Sequence, residues 1–157
     1  MKYTRLTKEQ FEELHQEFIN FLATQSITAE EWTNLKTNSP ETAEMELDVF
    51  SDLIWEGVLQ NAKYLENISP QQLFLFQLNE DKMTLISLRI LTAEIDITKP
   101  EGYKWLQENY SSDTVEFYTA SKEYSEDKNA DIFSLIQQGA VITKGDLFTF
   151  FEKIIKI

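Results

Sequence analysis

Apolar positions recur at helical spacing through the first part of the chain. Phe11, Leu14, Phe18, Phe21 and Leu22 fall on one helical face. Just ahead of them, Thr7-Lys8-Glu9-Gln10 has the spacing of a capping box. Thr7 stands as N-cap and Gln10 at N3, each side chain satisfying a backbone N–H of the other residue. Thr28-Ala29-Glu30-Glu31 repeats the signature and opens a short helix that carries Trp32 and Leu35. Ser39-Pro40 starts a third helix, with Ser39 as N-cap and Pro40 at N1, where a missing N–H costs nothing. Ala43, Leu47, Phe50, Ile54 and Val58 make its apolar stripe.

The helical reading extends to residue 68, and Ser69-Pro70 closes it. The period then changes. Leu73 to Leu78 and Met83 to Leu91 are short apolar runs rich in β-formers, and the polar Asn79-Glu80-Asp81-Lys82 between them predicts a hairpin. Ile95 and Ile97 extend the second strand or form a third. Thr98-Lys99-Pro100-Glu101 reads as a capping box that starts a helix through Trp105 to about Tyr110. Val115 to Thr119 alternates as a strand does, and 121–129 is polar and loop-like. Ile132 to Ile136 reads as a helix with Asp131 as N-cap, closed by Gly139 at C′. Thr143-Lys144-Gly145-Asp146 precedes a last helix through Ile157. The expected fold is α+β: N-terminal helices packed with a small antiparallel β-hairpin or sheet, and C-terminal helices. With no repeat and no Gly/Ser- or Pro-rich linker, the expectation is a single domain, 1–157, helical over 1–68 and α+β over 69–157.

Composition narrows the chemistry. The 157 residues carry 14 Lys+Arg against 27 Asp+Glu, a formal charge of −13, with one His and no Cys. Eleven Phe, six Tyr and three Trp can fill a core, which argues against disorder. Without Cys there is no disulfide framework, thiol nucleophile or cysteine metal site. The charge opposes direct binding to a phosphate backbone. Met1-Lys2-Tyr3-Thr4-Arg5-Leu6 is followed by no apolar run of the secretory type, and no apolar stretch approaches the roughly 20 residues of a membrane span, so a cytoplasmic location and no membrane contact are expected.

Motifs for catalysis fail on particular residues. Glu12-Glu13-Leu14-His15 contains the Glu-x-x-His of di-iron bundles, which need two such motifs, and this chain has one His. Asp127-Lys128-Asn129-Ala130-Asp131 begins like a calcium loop, but Ile132 stands where the turn needs Gly, and Gln138 where a bidentate Glu belongs. Gly-x-Ser-x-Gly, Walker and Gly-x-Gly-x-x-Gly sequences are all missing. The sequence therefore assigns no catalytic residue, metal ligand or cofactor, and reads more readily as a non-enzyme.

The third helix is unusual. Glu44, Asp48, Asp52 and Glu56 recur every four residues, with no Lys or Arg between 37 and 62 to offset them. Like charges at this spacing destabilise a helix by about 0.2–0.5 kcal/mol per pair. A solvated face is the plain explanation. Met45, Val49, Trp55 and Leu59 project among these carboxylates, and apolar anchors within an acidic rim are one way protein interfaces are built. At the C-terminus, Leu147, Phe148, Phe150, Phe151, Ile154 and Ile155 span roughly 160° of a helix, more than one packing surface covers. Phe150 and Ile154 are assigned to the domain's own core, and Phe148 and Ile155 to a partner.

Two segments carry a family resemblance. Met1-Lys2-Tyr3-Thr4-Arg5-Leu6-Thr7-Lys8-Glu9-Gln10-Phe11-Glu12-Glu13-Leu14-His15-Gln16-Glu17-Phe18, continuing to Glu31-Trp32, resembles the start of an uncharacterised family of small acidic bacterial proteins. The segment Glu46-Leu47-Asp48-Val49-Phe50-Ser51-Asp52-Leu53-Ile54-Trp55-Glu56-Gly57-Val58-Leu59 is similar to the same family. The resemblance implies a bacterial cytoplasmic domain and brings no activity with it.

The function expected from the residues is a protein–protein interaction module, self-associating or docking into a larger assembly, with a protein partner or a homodimer. Its partner-binding candidates are Glu44, Met45, Asp48, Val49, Asp52, Trp55, Glu56, Leu59, Phe148 and Ile155. A second reading is a nucleic-acid mimic that occupies a basic groove, since 13 acids against Lys36 and Lys63 place a charge of −11 in residues 9–66. A lesser one is a carboxylate-based, metal-dependent hydrolase.

Overall fold

The first two capping boxes form as their spacing predicts. Thr7 Oγ1 accepts the Gln10 N–H at 3.2 Å, while Gln10 Oε1 accepts the Thr7 N–H at 2.8 Å. Thr28 and Glu31 repeat the exchange. The computed structural model describes residues 1–156 and is α+β, about half helix, with a five-stranded antiparallel sheet. The chain divides into two compact units, Met1–Gln60 and the residues from Asn61 onward.

The first unit is helical: α1 (Lys8–Glu13), α2 (His15–Thr24), α3 (Ala29–Asn38) and α4 (Pro40–Asn61). Pro40 opens α4 as predicted. The single helix expected after Thr7 is broken at Leu14, where φ is −98° and ψ 23°. The break leaves both Phe11 and Phe18 facing Phe50, with ring centroids 5.9 and 5.0 Å away. Trp32 meets Phe18 edge-on at 5.2 Å, and Phe21 lies 5.4 Å from Phe50. These rings, with Leu6 and Leu22, are the core of the unit. Helix α2 ends in a Schellman motif, with Ile27 N–H bonded to Leu22 O and Ser26 N–H to Ala23 O. Ser26 occupies the left-handed position (φ 60°) that glycine usually fills.

In the second unit the elements are β1 (Tyr64–Ser69), β2 (Gln72–Leu78), β3 (Lys82–Ile90), α5 (Pro100–Asn109), β4 (Val115–Glu123), α6 (Lys128–Gln137), β5 (Val141–Thr143) and α7 (Asp146–Ile155). The sheet order is β4-β3-β2-β1-β5, antiparallel throughout. The predicted hairpin is β2–β3, with Leu73 opposite Leu88 and Leu75 opposite Ile86. Those four residues, with Ile90 and Val115, form one apolar face. Leu106 of α5 and Phe148 and Phe151 of α7 pack against it.

Several expectations need correction. β1 lies inside the stretch read as helical. Glu66 and Asn67 at its centre hide the alternation that marks a strand, and Ser69-Pro70 belongs to the β1–β2 turn. Ile95 and Ile97 form no strand; Gln71 donates to Ile95 O, and Ile97 donates to Pro70 O, so this segment folds over that turn. The third capping box does not form. Lys99 is the N-cap of α5, while Thr98 bonds to Asp96 instead. Strand β4 runs on to Glu123, into the predicted loop. The N-cap of α6 is Asp127, which accepts the Ala130 N–H at 3.1 Å, and Asp131 accepts from Ser125. The short β5 has no sequence signal of its own. Gly139 takes the expected positive φ of 111° after α6. The expected end of the last helix at Ile157 lies outside the described residues. Among the described residues, no helix is long and apolar enough to cross a membrane.

Candidate functional site

Helix α4 presents three surfaces. Ala43, Leu47, Phe50 and Ile54 face the core of the unit. The acidic ladder is occupied by the chain's own first residues. Asp52 accepts two backbone N–H groups, from Lys2 at 2.7 Å and Tyr3 at 2.9 Å. Lys2 Nζ pairs with Glu56 at 2.9 Å. Arg5 Nε donates to Asp48 at 2.6 Å, and its Nη1 stands 3.9 Å from Glu44. Ser51, fully buried, accepts the Leu6 N–H at 3.0 Å and donates to Leu47 O at 2.7 Å.

An extended segment advances about 3.3 Å per residue and a helix about 6 Å per four residues, so residues 2–5 match the ladder's repeat. The carboxylates that repel one another locally are thereby bound by a strap more than forty residues away. The Arg5 hydrogen bond holds the Asp48 carboxyl below its ordinary range. Burial and the neighbouring Glu56 raise the Tyr3 phenol.

The third surface is open. Met45, Val49 and Leu53 recur every four residues and are 66%, 52% and 57% exposed. They make a continuous apolar ridge. Gly57 continues it, with no other atom within 4 Å of where a side chain would begin. At about 100° per residue, Asp52 and Glu56 flank the ridge on one side and Glu46 on the other.

The other candidates are placed as follows. Trp55 is half-buried on α4 between the acidic ladder and the core face. It lines an apolar groove of about 280 Å³ with Leu6, Leu14, Ile54 and Val58. Leu59 is fully buried, so its assignment to a partner is corrected. So is that of Phe148, which is 1% exposed and packs 5.7 Å from the Tyr64 ring. The assignment of Phe150 to the core is also reversed: it is 43% exposed and meets Tyr110 and Phe151 edge-on. Helical phase decides this exchange. Gly145 takes a left-handed φ of 85° against the Tyr64 ring, which starts α7 with Phe148 facing the sheet. Ile155 is half-buried against the same core. The structure thus brings Glu44, Met45, Asp48, Val49, Asp52 and Glu56 onto adjoining surfaces of one helix, while Phe148 and Ile155 belong to the second unit.

Two features stand outside the sequence expectations. Leu53 completes the ridge, and its four-residue spacing from Val49 is the signal that marks it. Glu66 of β1 is the other: burial raises its carboxyl, with Thr143 as hydrogen-bond partner and Asp146 as a charged neighbour. Near it, Tyr103, Leu106, Asp146, Leu147, Phe150 and Phe151 line a cavity of about 230 Å³ between α5 and α7. Glu12 and His15 are both exposed. Among the described residues, no three His, Cys, Asp or Glu side chains converge as metal ligands would.

A family of unknown function (DUF6495) covers residues 1–156. No curated protein and no solved structure matches the chain.

Proposed function

The chain belongs to the DUF6495 family of unknown function, and from that premise we propose that it is a protein-interaction module whose docking surface is the open face of α4. The observation that carries this reading is the Met45–Val49–Leu53 ridge, three large apolar side chains in line and more than half exposed. An exposed apolar ridge with a charged border is a common mark of a binding surface.

The border indicates the partner. The first unit holds twelve acids (Glu9, Glu12, Glu13, Glu17, Glu30, Glu31, Glu41, Glu44, Glu46, Asp48, Asp52, Glu56) against Lys2, Arg5, Lys8 and Lys36. Of those cations, Lys2 and Arg5 are engaged in the strap. Asp52 accepts its two hydrogen bonds from neutral backbone groups rather than from a cation. The chemistry that fits is a helix with an apolar stripe and Lys or Arg on its flanks, laid along α4. Such a complex forms faster and more tightly at low salt.

Mimicry of nucleic acid has less support. Of the α4 ladder, Glu44, Asp48 and Glu56 are paired with Lys2 and Arg5 rather than displayed as a row of free charges. Carboxylate-based metal chemistry is likewise favoured by no cluster among the described residues.

Affinity capture from native lysate, with wild type and a Val49→Asp, Leu53→Asp variant as parallel baits, tests the proposal. The expected result is a basic protein that the wild type retains and the variant loses, and that elutes at raised salt. Equal recovery by both baits, or elution indifferent to salt, overturns it. Val49 and Leu53 are exposed, so the variant keeps its fold, and circular dichroism checks that it does.

A further inference from the structure

Strand β4 is an edge of the sheet. Among the described residues its inner side pairs with β3 and no strand pairs with its outer side. The phase of its backbone follows from the ladder. Leu91 N–H donates to Thr114 O at 2.8 Å, next to the pair Ile90–Val115. In an antiparallel ladder hydrogen-bonded pairs alternate, so Glu116, Tyr118, Ala120 and Lys122 direct their N–H and C=O groups toward β3. Phe117, Thr119, Ser121 and Glu123 direct theirs out of the sheet, as Val115 does its C=O, while the Val115 N–H is bonded to Ser112 O at 3.1 Å. An open row of this kind is a template for another strand.

We propose that this edge pairs with its counterpart in a second copy of the chain, antiparallel about Thr119, and joins the two sheets into one. Its sequence is self-complementary in that register. Thr119 faces Thr119 of the other copy as a hydrogen-bonded pair, Phe117 faces Ser121, and Val115 faces Glu123. With the Val115 N–H held by Ser112 O, the outward residues of the two copies then supply about eight backbone hydrogen bonds. Glu116 stands opposite Lys122 and Lys122 opposite Glu116, both in non-hydrogen-bonded pairs, where side chains approach most closely. Tyr118, 63% exposed, stands opposite the small Ala120, which leaves room for its ring.

Neighbouring registers lose these matches. Centred on Tyr118, the two tyrosines oppose each other, and Glu116 faces Ala120. Centred on Ala120, Lys122 faces Tyr118. Only the Thr119 register overlaps all nine residues of the strand and forms both ion pairs.

Charge supports a second copy as the occupant. Each chain carries −13, so copies repel unless the contact is locally balanced. β4 is balanced. On β3, Arg89 stands opposite Glu116 and Lys82 opposite Glu123, so a row Arg89–Glu116–Lys122 alternates in sign across the junction. The lysine that guards an edge against indiscriminate pairing is neutralised in this arrangement. The surface uses no residue of α4.

A contact of one strand pair is smaller than a standard interface, so the dimer is expected to form at about 10–100 μM. Sedimentation velocity on the full chain over that range, at low salt, is expected to show the mass rising toward twice the monomer. Glu116→Lys and Lys122→Glu, each alone, set like charges opposite each other and are expected to weaken association at least tenfold. Mixed in equal amounts, the two variants restore opposite charges at both positions and are expected to dimerise with each other. Thr119→Pro removes an outward N–H without breaking a bond to β3, and is expected to give a folded monomer. A wild type that stays monomeric at several hundred μM, single variants that dimerise like the wild type, or a mixture that stays monomeric each overturns the proposal. The mixing result does not depend on how well the proline variant folds.

Discussion

The Arg5 guanidinium donates to the Asp48 carboxylate at 2.6 Å, across 43 residues of sequence. Together with the Lys2–Glu56 pair and the two N–H groups on Asp52, it converts a repulsive helix face into a binding track for the chain's own start. The two kinds of contact differ in strength. Arg5 and Asp48 are partly solvent-exposed, and solvent screening weakens such a pair. Asp52 satisfies two backbone donors, and charge-assisted bonds of that type contribute about 1.5–3 kcal/mol. Asp52→Ala is therefore expected to destabilise the first unit more than Asp48→Ala does. Urea denaturation measures the difference, and amide exchange at Lys2 and Tyr3 shows whether the strap is released.

The strap is also expected to loosen in acid. The folded-state pKa of Asp48 is depressed, chiefly by the Arg5 hydrogen bond. Its contribution is complete above the unfolded value of about 3.9 and is lost as pH falls through the folded value. NMR titration should show Asp48 protonating after most other aspartates, with the Arg5 side-chain resonances moving in step. Tyr124 behaves in the opposite sense. Burial is the main cause, with Asp81 and Asp131 adding to it, and its pKa is raised to about 12. Its hydroxyl donates to Asn79 O at 2.7 Å. That contribution is complete below the unfolded value of about 10 and is lost as pH rises through about 12. Ultraviolet difference titration should find tyrosine ionisation in that upper range, and Tyr124→Phe should reduce it.

Three single-residue changes at backbone positions should divide by sign. Gly57→Ala meets open space inside a helix and is expected to stabilise by about 0.5–1 kcal/mol. Ser26→Gly relieves a left-handed serine in the Schellman turn and is expected to stabilise by up to about 1 kcal/mol. Gly102→Ala would place a Cβ 1.8 Å from Asp96 O, against backbone that cannot yield, and is expected to destabilise by about 2 kcal/mol or more. Thermal melts of the three variants in parallel check the order.

Phe148 and Phe150 offer a direct comparison of two rings on one helix. Phe148→Ala opens a cavity beneath α7 and is expected to cost about 3–5 kcal/mol. Phe150→Ala removes a partly exposed ring and is expected to cost clearly less. Chemical denaturation of both variants gives the ratio, and equal losses would contradict the burial difference.

What the sequence determined by itself was local. Thr7 with Gln10, Thr28 with Glu31, and Pro40 mark helix starts because each satisfies or spares backbone donors within a few residues. The β2–β3 hairpin was legible because Leu73 to Leu78 and Met83 to Leu91 flank a polar turn. Met45 and Val49 stood out as apolar residues on an acidic helix, and both prove exposed. The tertiary structure decided whatever depends on distant partners. β1 has no alternation of its own and becomes a strand because β2 and β5 supply its hydrogen bonds. The acidic ladder looked unbalanced because its cations, Lys2 and Arg5, lie some forty residues upstream. Phe148 and Phe150 carry the same side chain two positions apart. Helix α7 starts at the left-handed Gly145, seated against Tyr64, and its phase there buries the first and exposes the second.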